Sequence, residues 1–178
     1  MAGAKANLRD TTSMTTVQIL ASDLWTGEYR ARRPLGDLDD GGSGHIHGRL
    51  EIVIGGRRLP RLGYWGPDDV CLDTSVSELR AARRVLSDRD AQYTVDEGEQ
   101  GQPAYVFRHL GNRVHVSVSD SPLSDGPGEP DWQNVPCDAT GFIAAIDAFL
   151  TRVEREVLAL GEVGQRWLAA TRVRSEAR

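Results

Sequence analysis

His45 and His47, two residues apart, are the side chains of this chain whose types and spacing best fit metal chemistry. On an extended strand alternate side chains share a face, so both imidazoles could meet one ion. His115 lies on a second predicted strand and projects from the face opposite that strand's apolar stripe. Three histidines would form a zinc-like set able to activate a water. No carboxylate spacing supports them, however. Solvent-facing strand histidines are the plainer reading, and neither a metal nor a cofactor is expected.

Cys71 and Cys137 are the only cysteines, and they form no Cys-x-x-Cys pair. Residues 1–16 are polar and lack the apolar stretch of a signal peptide. The expectation is therefore a soluble cytoplasmic protein with free thiols. As a nucleophile, either cysteine would need a histidine base and oxyanion donors. Cys137 precedes a predicted helix, where a thiolate is favoured, but a small buried hydrophobe is the simpler role. Gly-x-Ser-x-Gly, P-loop and dinucleotide-binding patterns are absent. No catalytic residue is assigned.

Two further features suit a protein partner. The segment Ser119 to Pro136 carries Asp120, Asp125, Glu129 and Asp131 with Trp132 beside them. It exceeds the usual length of a structureless connection. Acidic steering plus one aromatic anchor would engage a basic surface. Arg57, Arg58 and Arg61 make the first hairpin basic, followed by Tyr64 and Trp65. Arg57 and Arg58 join the candidate contacts. The net charge of −5 disfavours nucleic acid, whose binding rests on phosphate neutralisation. No apolar run is long enough to span a bilayer.

Two hairpin–helix units position these residues. Ile46, Leu50, Ile52 and Ile54 alternate with polar neighbours, and Gly55-Gly56 is a two-residue turn. Gly48 breaks the alternation and suggests a bulge. Pro60, within a return strand expected from Arg58 to Tyr64, marks an edge. Ser75-x-x-Glu78 reads as a capping box for a helix with stripe Val76, Leu79, Ala82 and Leu86, its Arg80, Arg83 and Arg84 in solvent. In the second unit Gly111-Asn112 pairs His109 with Val114, Phe107 with Val116 and Tyr105 with Val118. A helix from Asp138 or Thr140 follows, its stripe running from Phe142 through Ile146, Phe149 and Val153 to Leu160, with Gly161 as terminator. Thr15 to Leu20 reads as a first strand, Tyr93 to Val95 as a short one, and Asp39-Asp40-Gly41-Gly42 as a turn. The expected fold is α+β: one antiparallel sheet of five or six strands with two helices on one face. Residues 1–13 form an extension, with Met1 or Met14 as the start; residues 14–168 form one domain, and 169–178 a frayed tail.

The strand Gly48–Arg57, the helix opening Ser75–Leu79, the hairpin through Tyr105 and Val118, and the helix from Phe142 resemble in layout a group of small bacterial proteins of unassigned function. They are also similar to immunity proteins of the WapI type, which neutralise secreted toxins. The resemblance implies a non-enzymatic inhibitor that occludes a basic toxin domain, and it carries no site residues. Two other readings compete: a small metal-dependent enzyme using His45, His47 and His115, and an accessory or scaffold protein dimerising through a sheet edge. The oligomeric state is left open.

Overall fold

The computed structural model describes residues 15–38, 44–63, 69–99 and 101–177. The extension 1–13, Met14, the Asp39–Gly42 turn and the Tyr64-Trp65 pair lie outside the described residues. The fold is α+β with antiparallel strands, as the patterning predicts. The strands divide between a five-stranded sheet and a four-stranded one, rather than forming a single sheet.

The first sheet holds β1 (Val17–Glu28), β2 (Ala31–Pro34), β3 (Ile46–Ile54), β4 (Arg57–Arg58) and β5 (Asp69–Cys71). β1 runs longer than its apolar start suggests, because a bulge resets its register between Ser22 and Trp25. Asp23 takes φ 53° there. Gly48 faces this bulge: a Cβ would lie 2.6 Å from Leu24 Cδ2 and 2.9 Å from the Ser22 carbonyl. The irregularity therefore sits on β1, and Gly48 makes room for it. The expected return strand to Tyr64 stops at Arg58. Leu59 still donates to the Ile52 carbonyl at 2.8 Å, but Pro60 has no N–H to continue the ladder.

The second sheet runs β6 (Gln92–Val95), β7 (Ala104–Leu110), β8 (Arg113–Ser119) and β9 (Val135–Asp138). Its central pair has the predicted register, with His109 opposite Val114, Phe107 opposite Val116 and Tyr105 opposite Val118.

Helix α1 (Leu72–Val85) buries Val76, Leu79, Ala82 and Leu86. It begins earlier than the capping box implied, with Cys71 at its N-cap. Ser75 Oγ then donates back to the Cys71 carbonyl at 3.1 Å. Glu78 turns inward and accepts from Tyr93 Oη at 2.8 Å. Arg80, expected in solvent, is half-buried and ties α1 to α2 (Ala139–Leu158) through Glu154 at 3.0 Å, while Arg83 is exposed as expected and pairs with Asp147 at 3.0 Å. Asp138 caps α2 by accepting from Gly141 N at 2.7 Å.

The C-terminal segment is a third helix, α3 (Glu162–Glu176), and not a frayed tail. Its buried face is Gly164, Trp167, Leu168, Thr171 and Ser175. Ser77 Oγ donates to the Thr171 carbonyl at 3.1 Å, fastening α3 to α1. At the α2–α3 corner a Cβ on Gly164 would lie 1.9 Å from the Val157 carbonyl, so only glycine permits this approach. α1 and α2 each pack on strands of both sheets, and one continuous apolar core joins the two sheets and all three helices.

Candidate functional site

Two places gather the polar residues singled out in the sequence. The first is the loop between β8 and β9, which internal hydrogen bonds hold in place. Ser121 Oγ accepts from Leu123 N at 3.1 Å and Ser124 N at 3.0 Å, while donating to Asp96 Oδ1 at 2.8 Å. Ser124 Oγ accepts from Gly126 N at 3.1 Å and donates to the Gln102 carbonyl. Asp120 Oδ1 accepts from Gly128 N at 2.7 Å. Arg61, from the first sheet's return segment, pairs with Glu129 at 2.8 Å and donates to the Pro127 carbonyl.

The basic hairpin and the acidic loop, both named as partner surfaces, therefore bind each other. Arg57 donates to the Asp131 carbonyl at 2.7 Å and lies 4.7 Å over the Trp132 ring. Arg58 pairs with Glu51 at 2.9 Å. Trp132 is 5% exposed, so it is part of the core and not a surface anchor. The exposed large apolar residue that sequence reasoning missed is Leu123, which is 67% exposed on the same loop. Asp120, Asp125 and Asp131 are exposed around it in the sequence, and Glu129 is half-buried. A lone leucine among serines and prolines gives no period by which to find it.

Gly126 fastens this loop, since a Cβ there would lie 1.9 Å from the Gln102 carbonyl oxygen. Gly126→Ala is expected to cost about 1–3 kcal/mol as the backbones part. Hydrogen exchange should speed up across Ser121 to Gly128 and leave β7–β8 protected. Uniform acceleration through both strands would show that the loop is not a separate unit.

The second place is the corner where β3, β5 and α1 meet. Asp73, in the first turn of α1, is buried. Its Oδ1 accepts from Trp167 Nε1 of α3 and from Ile46 N at 3.3 Å. Its Oδ2 lies 2.5 Å from His45 Nδ1 and 3.6 Å from Arg174 Nη1. Cys71 Sγ lies 3.9 Å from the same His45 Nδ1. Cys71 is the cross-strand partner of His47, whose ring stacks on Trp25 at 4.4 Å. Arg32 covers Trp25 and Tyr29 at 4.6 and 4.5 Å and pairs with Asp69 at 2.9 Å.

Burial lowers the His47 pKa, against the raising effect of Asp73, so the ring is neutral near pH 7. Burial, then the Asp73 charge, pushes the Cys71 thiol up. A cleft lined by His45, His47, Cys71, Thr74, Glu97 and Glu99 opens on one side of the corner. A wider one of about 600 Å³, lined by His45, Asp73, Trp167 and Arg174, opens on the other.

The three-histidine site does not form. His45 and His47 share a face, with ring centroids 6.3 Å apart. His115 lies on β8 in the other sheet, its Nδ1 3.4 Å from the Asn134 carbonyl. In its place the sequence offered Cys71 and Asp73, whose convergence with His45 spans 26 and 28 residues and has no local signature. Cys137 is fully buried at the second sheet, and its pKa is pushed up to about 12 by burial, which disfavours the thiolate that a nucleophile needs. Both thiols are free. Among the described residues no helix is long and apolar enough to cross a membrane. Compared with protein-family models, curated proteins and solved structures, the chain matches none.

Proposed function

We propose that the chain is a non-enzymatic, cytoplasmic protein-binding domain of the immunity type, which occludes the active site of a basic toxin domain. The observation that carries this reading is the hydrogen-bonded loop that holds Leu123 exposed on a segment whose Asp120, Asp125 and Asp131 are exposed as well. A pre-organised loop loses little entropy on docking, so an apolar anchor within an acidic rim yields affinity and fast association together. The net charge of −5 adds long-range attraction to a basic partner.

The test is co-expression with the product of the gene adjacent to its own. Rescue of growth and a complex on gel filtration are expected. Leu123→Asp should weaken the complex by about 30-fold or more, as for a central anchor. Reversing Asp125 and Asp131 to arginine should slow association about tenfold at low salt and much less at high salt. Absence of both rescue and complex would remove the reading.

A further inference from the structure

We propose that His45 Nδ1, Cys71 Sγ and Asp73 Oδ2 form a Zn²⁺ site, with its fourth position turned toward the cleft that His47, Glu97 and Glu99 line. These three ligand atoms lie within 4.8 Å of one another. Cys71 ends β5 and Asp73 lies in the first turn of α1, so regular elements place two of them; His45 immediately precedes β3 and is the adjustable third.

The decisive geometry is that one ring nitrogen faces two acceptors. His45 Nδ1 is 2.5 Å from Asp73 Oδ2 and 3.9 Å from Cys71 Sγ. A single N–H serves one of them. A thiol–imidazole–carboxylate relay needs the acid and the thiol on opposite ring nitrogens, and this corner puts both on the same one. A shared cation suits all three: bond lengths for tetrahedral zinc imply edges of about 3.3 Å between nitrogen and oxygen and about 3.6 Å between nitrogen and sulfur. The sulfur edge needs to close by a few tenths of an ångström, and the carboxylate edge to open by less than one. His45, 48% exposed, supplies that movement by turning its ring, and the half-buried Cys71 side chain must turn as well to bring Sγ, within 4.8 Å of Oδ2, to a sulfur–oxygen edge of about 3.6 Å.

A second observation points the same way. Trp167 Nε1 and Ile46 N both bind Asp73 Oδ1, which turns Oδ2 to the histidine. Outer hydrogen bonds that orient a ligating carboxylate in this way are part of a metal site's construction. Arg174 competes for Oδ2 from 3.6 Å, but its side chain is 47% exposed and can withdraw into solvent. One nitrogen, one sulfur and one carboxylate oxygen are the donor set that zinc accepts among the common divalent ions. The two clefts that meet at His45 supply the entry path.

The test uses the full untagged chain, stripped with chelator and titrated with Zn²⁺ or Co²⁺ alone. Stoichiometric binding is expected, with tetrahedral visible bands and a thiolate-to-cobalt charge-transfer band in the near ultraviolet. Cys71→Ser should abolish the charge-transfer band and weaken Zn²⁺ binding by about 100-fold, while Trp167→Phe should weaken it by about 10- to 100-fold. His115→Asn should bind as the wild type does. Circular dichroism of each variant separates ligand loss from misfolding, and Cys71→Ser changes side-chain volume least. No saturable Zn²⁺ binding overturns the proposal, as does a cobalt complex without a thiolate band. An equal loss in His115→Asn does the same. None of these outcomes depends on whether the acidic loop binds a toxin.

Discussion

Asp73→Ala is expected to destabilise the fold by about 3–5 kcal/mol, the range for removing one partner of a buried charged network. At about 2–4 °C per kcal/mol for a chain of this size, the melting temperature should fall by roughly 10 °C. The cause is what the carboxylate leaves behind. Trp167 Nε1 and Ile46 N both donate to Asp73 Oδ1, and both residues are buried. Each N–H stripped of its acceptor costs about 1–3 kcal/mol. The same carboxylate links α1 to β3 and α3, so its loss loosens the seam on which the C-terminal helix depends. Asp73→Asn keeps an acceptor for Trp167 and Ile46 and should lose about half as much. Measuring melts in chelator restricts the effect to the hydrogen-bond network. A second readout separates this network from simple loss of volume. Asp73 is the largest of the influences that raise the His47 pKa against burial. Without it, His47 should titrate lower still in NMR. An unmoved His47, or a loss below about 1 kcal/mol, would show that water replaces the carboxylate.

How much of this was legible in the sequence depends on how local each signal is. The β7–β8 register was readable because Gly111-Asn112 closes the hairpin in two residues and the alternation on both strands agrees with it. The α2 stripe was readable because Phe142, Ile146, Phe149, Val153 and Val157 recur at helical spacing, and all are buried. Helix α3 was hidden because its buried face ends in Thr171 and Ser175, small polar residues whose hydroxyls return to carbonyls in their own helix. The division into two sheets was hidden as well. Period-two patterning identifies strands and the face each one buries, and carries no information about which sheet a strand joins.

At the candidate sites the same rule holds. His45-x-His47 stood out because a strand places i and i+2 together. Cys71 and Asp73 did not, because their meeting with His45 depends on β5 pairing with β3. Asp73 in particular looked like a residue ahead of a capping box, and the early start of α1 turned it inward instead. Trp132, read as an exposed anchor, is buried in the core. Arg57 closes over its ring, so the residues read as partner contacts became the clasp that holds the loop.

Phe142→Ala should cost about 3–5 kcal/mol. Phe142 is fully buried, and its ring packs 5.4 Å from that of Phe107 on β7. Phe142→Leu, which keeps most of the volume, should cost about 1 kcal/mol. The shape of the transition matters as much as its midpoint. α2 packs on β1 of the first sheet and on β8 and β9 of the second, so a cavity beneath it weakens the layer that both sheets share. Far- and near-ultraviolet dichroism should therefore lose signal together in one transition at lower temperature. Two separated transitions would mean that each sheet is stable with its own helix. The loop carrying Leu123 and the His45 corner would then sit on independent units. A single transition makes them one mechanical body, in which loosening the core under α2 degrades both the loop that carries Leu123 and the His45 corner without touching a residue of either.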